Sequence, residues 1–263
     1  DTYKNFILPL RNVYQGDVVL LRVKELDPTI AALCKKYKID TRMIKPSLKV
    51  GVKADRYFSY AAVCADYDRC FATDFRDVFF QGNPFVKFVS GYDLILSQEF
   101  SGVSIKTCPY NSKWIKSCWG SEFLNRIGDN SPICSGTILG TPKGFSELKE
   151  KIVNEFKKTA SMPRCTARDQ GHLNYLYFAK KLDVPTLVQP RGTGIINTVG
   201  YIPRNSITSY LNADGFVMNT DLSTSAVVHQ YDRFPELIGL RNRLLTAKTR
   251  AVSYSLYGSS PRY

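Results

Sequence analysis

Asp74 and Asp77 stand three positions apart around Arg76 in the stretch Arg69 to Phe85, RCFATDFRDVFFQGNPF. Two carboxylates converging beside an arginine suit a hard divalent cation, Mn2+ or Mg2+, that carries phosphate oxygens. Residues three apart on a continuous strand point to opposite faces. The pair therefore meets only if the chain turns at Asp74. The apolar run Cys70-Phe71-Ala72 is short, aromatic and bounded by turn residues, which predicts a buried strand ending at Thr73-Asp74. In open α/β sheets that carboxyl edge is where ligands bind. On spacing alone, a loop with an Asp–Arg pair and a solvated Asp explains the stretch equally well.

The elements that must build this edge are read in chain order. Tyr3 to Arg11 reads as a short helix and Gly16 to Val23, GDVVLLRV, as a buried strand. Asp27 as N-cap, with Pro28 at the first helical position, opens a helix that runs to Lys36. Asp40 to Val52, with Pro46, reads as irregular. Ala54 to Tyr67 is a helix with Tyr57, Ala61 and Cys64 inward, leading into the Asp74 strand. This alternation predicts a mostly parallel sheet with right-handed crossovers. Asp93 to Ser97 is a further strand. Ser146 starts an amphipathic helix with Leu148, Ile152, Val153 and Phe156 inward. Asp169 opens another, with Leu173, Leu176 and Tyr177 on one face. VPTLVQP and GIINTVGYI read as strands, and a last helix spans Glu236 to Thr246 before a basic, Ser- and Tyr-rich tail. There is no internal repeat, low-complexity segment or linker, so a single domain over 1–263 is expected.

Composition bounds the partners. The 263 residues, 44% hydrophobic and 22% charged, are enough for one large α/β domain with a substantial core. No apolar run approaches the ~18 residues of a transmembrane helix. No signal peptide is visible at Asp1, where the residues read like the middle of an element. A membrane anchor outside this chain is left open. The net charge of +13 points to a polyanionic partner: nucleic acid, anionic lipid or a phosphorylated small molecule. No Arg/Lys block and no zinc-finger, RRM or KH signature marks nucleic acid. Seven cysteines without a CxxC pair, beside two histidines, argue against structural zinc. Cys108 and Cys118 lie in a polar segment with turn residues, CPYNSKWIKSC. Either they form a disulfide, implying an oxidising compartment, or they are free thiols. The odd count leaves at least one thiol free or paired between chains.

Three segments in order, TDFRDVFFQGNPF, then CSGTILGT with DQGHLN, then VVHQYDR, resemble the nucleotide-sugar glycosyltransferases of the GT-A type. The resemblance is to the retaining group that includes glycogenin and the bacterial galactosyl- and glucosyltransferases with a DxD strand. It spans roughly Val19 to Arg233. It implies an α/β GT-A fold: a Rossmann-like nucleotide half and an acceptor half on a mixed, mostly parallel central sheet flanked by helices. The first strand, which reads the base, is missing or poorly marked here. The implied activity is Mn2+- or Mg2+-dependent transfer from a nucleoside-diphosphate sugar to a hydroxyl of a glycan, glycoprotein or small-molecule acceptor, with retention. The implied setting is the soluble domain of an anchored enzyme in the secretory-pathway lumen, the cytoplasm being the alternative, with no nucleic-acid partner.

Residue by residue, Asp77 matches the last Asp of DxD and the metal ligand. Phe75 holds the slot of the first Asp, and Asp74, one position away, is left to the metal or the donor. His229, after Val227-Val228, matches a further metal ligand. Arg233 or Arg241 stands in for a lysine that reaches the diphosphate. Asp169 and Gln170 match the catalytic Asp-Gln pair beside the reacting sugar, where Asp169 also suits a helix N-cap. Ser135 and Gly136 match the segment where backbone approaches the sugar, a closeness Gly permits. Arg56 matches a basic residue facing the donor, or is an exposed helix arginine. His172 falls at a variable position and is structural or acceptor-facing. Two other classes stay open: a basic module gripping single-stranded nucleic acid or another polyanion by stacking and charge, and a degenerate fold that binds sugar nucleotides without turnover.

Overall fold

Asp27 accepts a hydrogen bond from Thr29 N and Pro28 follows it, so helix α2 (Pro28–Lys36) starts where the sequence places it. The computed structural model describes residues 2–44 and 52–246, so Pro46 and the basic tail lie outside the described residues. Around α2 the chain runs α1 (Thr2–Val13), β1 (Val19–Arg22), β2 (Asp40–Met43), α3 (Val52–Cys64), β3 (Cys70–Thr73) and β4 (Val78–Phe80). It continues β5 (Leu94–Gln98), α4 (Pro109–Ile127), β6 (Ile133–Gly140), α5 (Pro142–Ala160), α6 (Asp169–Phe178), β7 (Thr186–Gln189), β8 (Ile196–Thr198), β9 (Val227–His229) and α7 (Pro235–Thr246). Asp40–Met43, expected to be irregular, is a strand parallel to β1. Helix α5 begins a turn earlier than Ser146, because Thr141 caps it and Pro142 occupies its first turn.

The described strands form sheets in the orders β1-β2, β3-β6-β5-β7 and β4-β9-β8. The expectation of a mostly parallel sheet fails: β3–β6, β5–β6 and β4–β9 are antiparallel, whereas β1–β2, β5–β7 and β8–β9 are parallel. The excursion between β5 and β6 explains one reversal. Ile105 N and Lys106 N donate to Asn130 O and Gly128 O at 2.8 and 2.9 Å, so the loop carrying α4 closes on itself. It delivers β6 to the end that β5 left. Helix α4 itself breaks at Gly120, whose φ of 86° is open to glycine.

Strand β5 is buried on both faces, as an apolar run in a covered sheet should be. Ile95 packs with Phe6, Ile7 and Leu10 of α1, while Leu94 and Leu96 pack with Leu148, Ile152 and Leu173 of α5 and α6. A third core joins Phe79 and Val228 to Leu237 and Leu240 of α7. Strands β1 and β3 were expected to be buried but are half-exposed. They do not pair with each other, and both line an apolar cavity of about 500 Å³ that α1 and α3 close. Among the described residues no strand lies between them.

The disulfides also differ from expectation. Cys108 and Cys118 lie ten residues apart along α4, roughly 15 Å at helical rise and too far to pair. Cys118 instead joins Cys165, tying α4 to the segment before α6, and Cys64 joins Cys70 across the turn from α3 to β3. Cys34, Cys108 and Cys134 are free and buried.

Candidate functional site

The turn at Asp74 carries the chain from one sheet to another. Thr73 ends β3 opposite Thr137 of β6, and Asp74 N donates to Gly136 O at 2.6 Å. Four residues later Val78 starts β4, paired antiparallel with β9 in the register Val78↔His229. Gln230 N donates to Asp77 O at 2.7 Å and locks that register. The two carboxylates, on different faces of any straight strand, therefore meet at one imidazole. His229 Nε2 lies 3.6 Å from Asp74 Oδ2 and 3.9 Å from Asp77 Oδ2. Ligand atoms of all three lie within 4.8 Å of one another.

This donor set fits a divalent cation. Carboxylate oxygens with one imidazole suit Mn2+. His229 is buried, and its Nε2 has no hydrogen-bond partner. Its Nδ1 lies 3.4 Å from Cys134 Sγ, which fixes the ring so that Nε2 faces the carboxylates. A Cβ on Gly136 would lie 2.5 Å from both Asp74 Oδ2 and His229 Cε1, so only glycine leaves that space open. Burial pushes the Asp77 carboxyl above its usual range, His229 opposing. Burial also raises Asp74, but the nearby His229 and the Arg56 guanidinium bonded to it outweigh burial and hold that group low.

Arg56 is no exposed helix arginine. Its guanidinium is largely buried over the Tyr57 and Tyr60 rings, pairs with Asp74 Oδ1 at 2.9 Å and with Asp169, and donates to Ser135 O at 3.0 Å. One side chain from α3 thus connects the β3 turn, β6 and the first residue of α6. Asp169 does not cap α6. The cap position is Arg168, and the Asp169 carboxylate is turned to Arg56.

Near enough to His229 to feel its charge lies a group with no signal in the sequence beyond its place after an apolar run. Glu99, just past β5, is 2% exposed. Gln170 Nε2 reaches Glu99 Oε2 at 3.4 Å and Asn111 Oδ1 at 3.4 Å, and Gln230 Nε2 reaches Glu99 Oε1 at 3.5 Å. Burial pushes the Glu99 carboxyl up to about 6, with His229 and the two amides opposing.

Other expected residues fall outside this cluster. Arg233 donates to Gly200 O at 2.9 Å, lies over the Tyr201 ring and is near enough to Glu99 to act on its charge. Arg241 is buried over Tyr231. His172 is structural: its ring stacks on Phe156 at 3.8 Å, Nε2 meets Thr159 Oγ1 and Nδ1 meets Arg168 O, both at 2.8 Å.

Among solved structures, the chain is similar to the galactosyltransferase LgtC in complex with donor and acceptor sugar analogues. The TM-score is 0.54 at 11% identity, over 93% of this chain and 91% of that one. An active-site mutant of LgtC gives a TM-score of 0.51 at 13% identity, over 90% of this chain and 92% of that one. No protein-family model and no curated protein sequence matches. The α/β architecture is that of these GT-A glycosyltransferases, with sheets that are mixed.

Proposed function

We propose that this chain is a glycosyltransferase that moves a sugar from a nucleoside-diphosphate donor to a hydroxyl of a carbohydrate acceptor. The observation that carries the reading is the meeting of Asp74, Asp77 and a buried, unpartnered His229 Nε2 at one point. These three residues would hold Mn2+ or Mg2+, which when bound supplies Lewis-acid neutralisation of the diphosphate leaving group. Arg56 pairs with Asp74 and Asp169 and holds both carboxylates in place, so that the charges around the donor are fixed before it binds. Gln170 and Glu99 line the adjoining side, where acceptor hydroxyls need hydrogen-bond partners. Asp169 is engaged by Arg56 instead of standing free for an attacking hydroxyl, which supports transfer with retention. The base and diphosphate belong at the Arg56–Asp74 end of the large cavity, the end that adjoins the cation cluster.

One domain, with the nucleotide half N-terminal, is the organisation this reading requires. Two disulfides support an oxidising, lumenal compartment. No described helix is long and apolar enough to cross a membrane. Asp77→Ala and His229→Ala are expected to abolish metal-dependent turnover while circular dichroism and melting remain those of a folded chain. Wild-type turnover by either variant in EDTA-treated buffer removes the metal from the account.

A further inference from the structure

Helix α4 presents two aromatic rings that neither the core nor the cation cluster uses. Tyr110 is 64% exposed, and its ring centroid lies 6.0 Å from that of Trp114, one turn on. Scattered surface aromatics need no explanation. These two are not scattered. Between them in sequence, Asn111 is buried and meets Gln170, which in turn meets Glu99. Trp114 stands against the start of α6: a Cβ on Gly171, next to Gln170, would lie 3.1 Å from Trp114 Cβ. The aromatic pair therefore borders the polar cage of Glu99, Asn111 and Gln170. The hydrogen bonds inside that cage are long, 3.4 to 3.5 Å, and leave the amides and the carboxylate capacity for ligand hydroxyls.

An apolar face beside a hydroxyl-binding edge is the complement of a pyranose ring, which has a C–H face and a rim of hydroxyls. We infer that Tyr110 and Trp114 form the acceptor platform: the acceptor is a pyranoside whose ring lies against these aromatics while its hydroxyls reach Gln170 and Glu99. This rests on the transferase reading above and adds the acceptor class and the residues that select it. Acyclic polyols and protein hydroxyls without a sugar lack the flat face and are poor acceptors.

The test uses a panel of methyl glycosides of galactose, glucose, mannose and N-acetylglucosamine, with lactose. Binding is followed by titration calorimetry with Mn2+ and nucleoside diphosphate present, and transfer is followed once a donor is found. Tyr110→Ala and Trp114→Ala are expected to raise the dissociation constant, or the acceptor KM, about tenfold each. Trp114→Phe should recover most of the loss. Donor KM, transfer to water and nucleotide-dependent melting should stay as in the unaltered chain. Tyr110 is largely exposed, so its variant folds even if Trp114→Ala does not. An unchanged pyranoside affinity in Tyr110→Ala, or in a folded Trp114→Ala, overturns the platform, as does a complete lack of saturable pyranoside response in the unaltered protein. Pyranoside binding that falls in these variants, in a chain no nucleotide stabilises, upholds the platform and removes the transferase reading instead.

Discussion

Arg56 is the residue on which the site's electrostatics turn. It is the buried cation between Asp74 and Asp169, and removing it leaves two carboxylates uncompensated. Arg56→Ala is expected to destabilise the fold by about 3 kcal/mol. Arg56→Lys keeps the charge but not the fork that reaches both acids and Ser135 O at once. A displaced carboxylate then costs turnover about a hundredfold, measured as kcat/KM beside the melting temperature. Glu99 gives a second test through pH. Its folded pKa of about 6 lies above the ordinary 4.5, so the native state holds this proton more tightly than the unfolded chain. Stability from this group is present below about pH 4.5 and is lost as pH rises to about 6. Glu99→Gln should therefore gain stability over the parent above pH 6, by about 2 kcal/mol, and the gain should vanish near pH 4.5, as urea melts at both values would show. The sequence marks Asp74 and Asp77 because turn residues surround them. Glu99 is silent there, because its burial and its partners Gln170 and Gln230 come from elements far away along the chain. Whether Arg56 is exposed was equally hidden, since a helix arginine has the same local signature on either face.

Elements set the geometry that these residues use. The caps of α2 and α5 and the inward faces of α5 and α6 follow from residue types and helical spacing. Strand direction does not. Whether β6 runs with or against β5 depends on how the α4 excursion closes, through backbone bonds between 105–106 and 128–130 that have no side-chain code. Disulfide partners were hidden for the same reason: Cys118 and Cys165 are 47 residues apart and meet only after α4 and α6 pack. That bridge holds the segment that leads into Asp169 and Gln170, helped by Ser117 Oγ, which lies 3.1 Å from Thr166 Oγ1. Cys118→Ser is expected to cost about 2 to 4 kcal/mol and to expose the 161–168 segment to trypsin. An unchanged melting temperature and cleavage pattern would mean that the bridge is not holding α6 in place.

The whole molecule carries +13 charges, yet the cluster at its centre is acidic. These facts are compatible if the surface draws phosphorylated partners in and the centre grips them only through a divalent cation. A module for nucleic acid needs no such acidic point, and its oligonucleotide binding would fall steeply with salt. The nucleotide half, the cation cluster and the acceptor side belong to one account only if a nucleoside diphosphate binds where Asp74, Asp77 and His229 meet. Thermal melting with UDP, GDP, ADP and CDP, each with Mn2+ and with EDTA, tests this most directly. At least one of the four should raise the melting temperature with Mn2+, lose that effect in EDTA, and lose it in Asp77→Ala and His229→Ala. Stabilisation by none of them, or stabilisation that survives EDTA and both substitutions, contradicts the account.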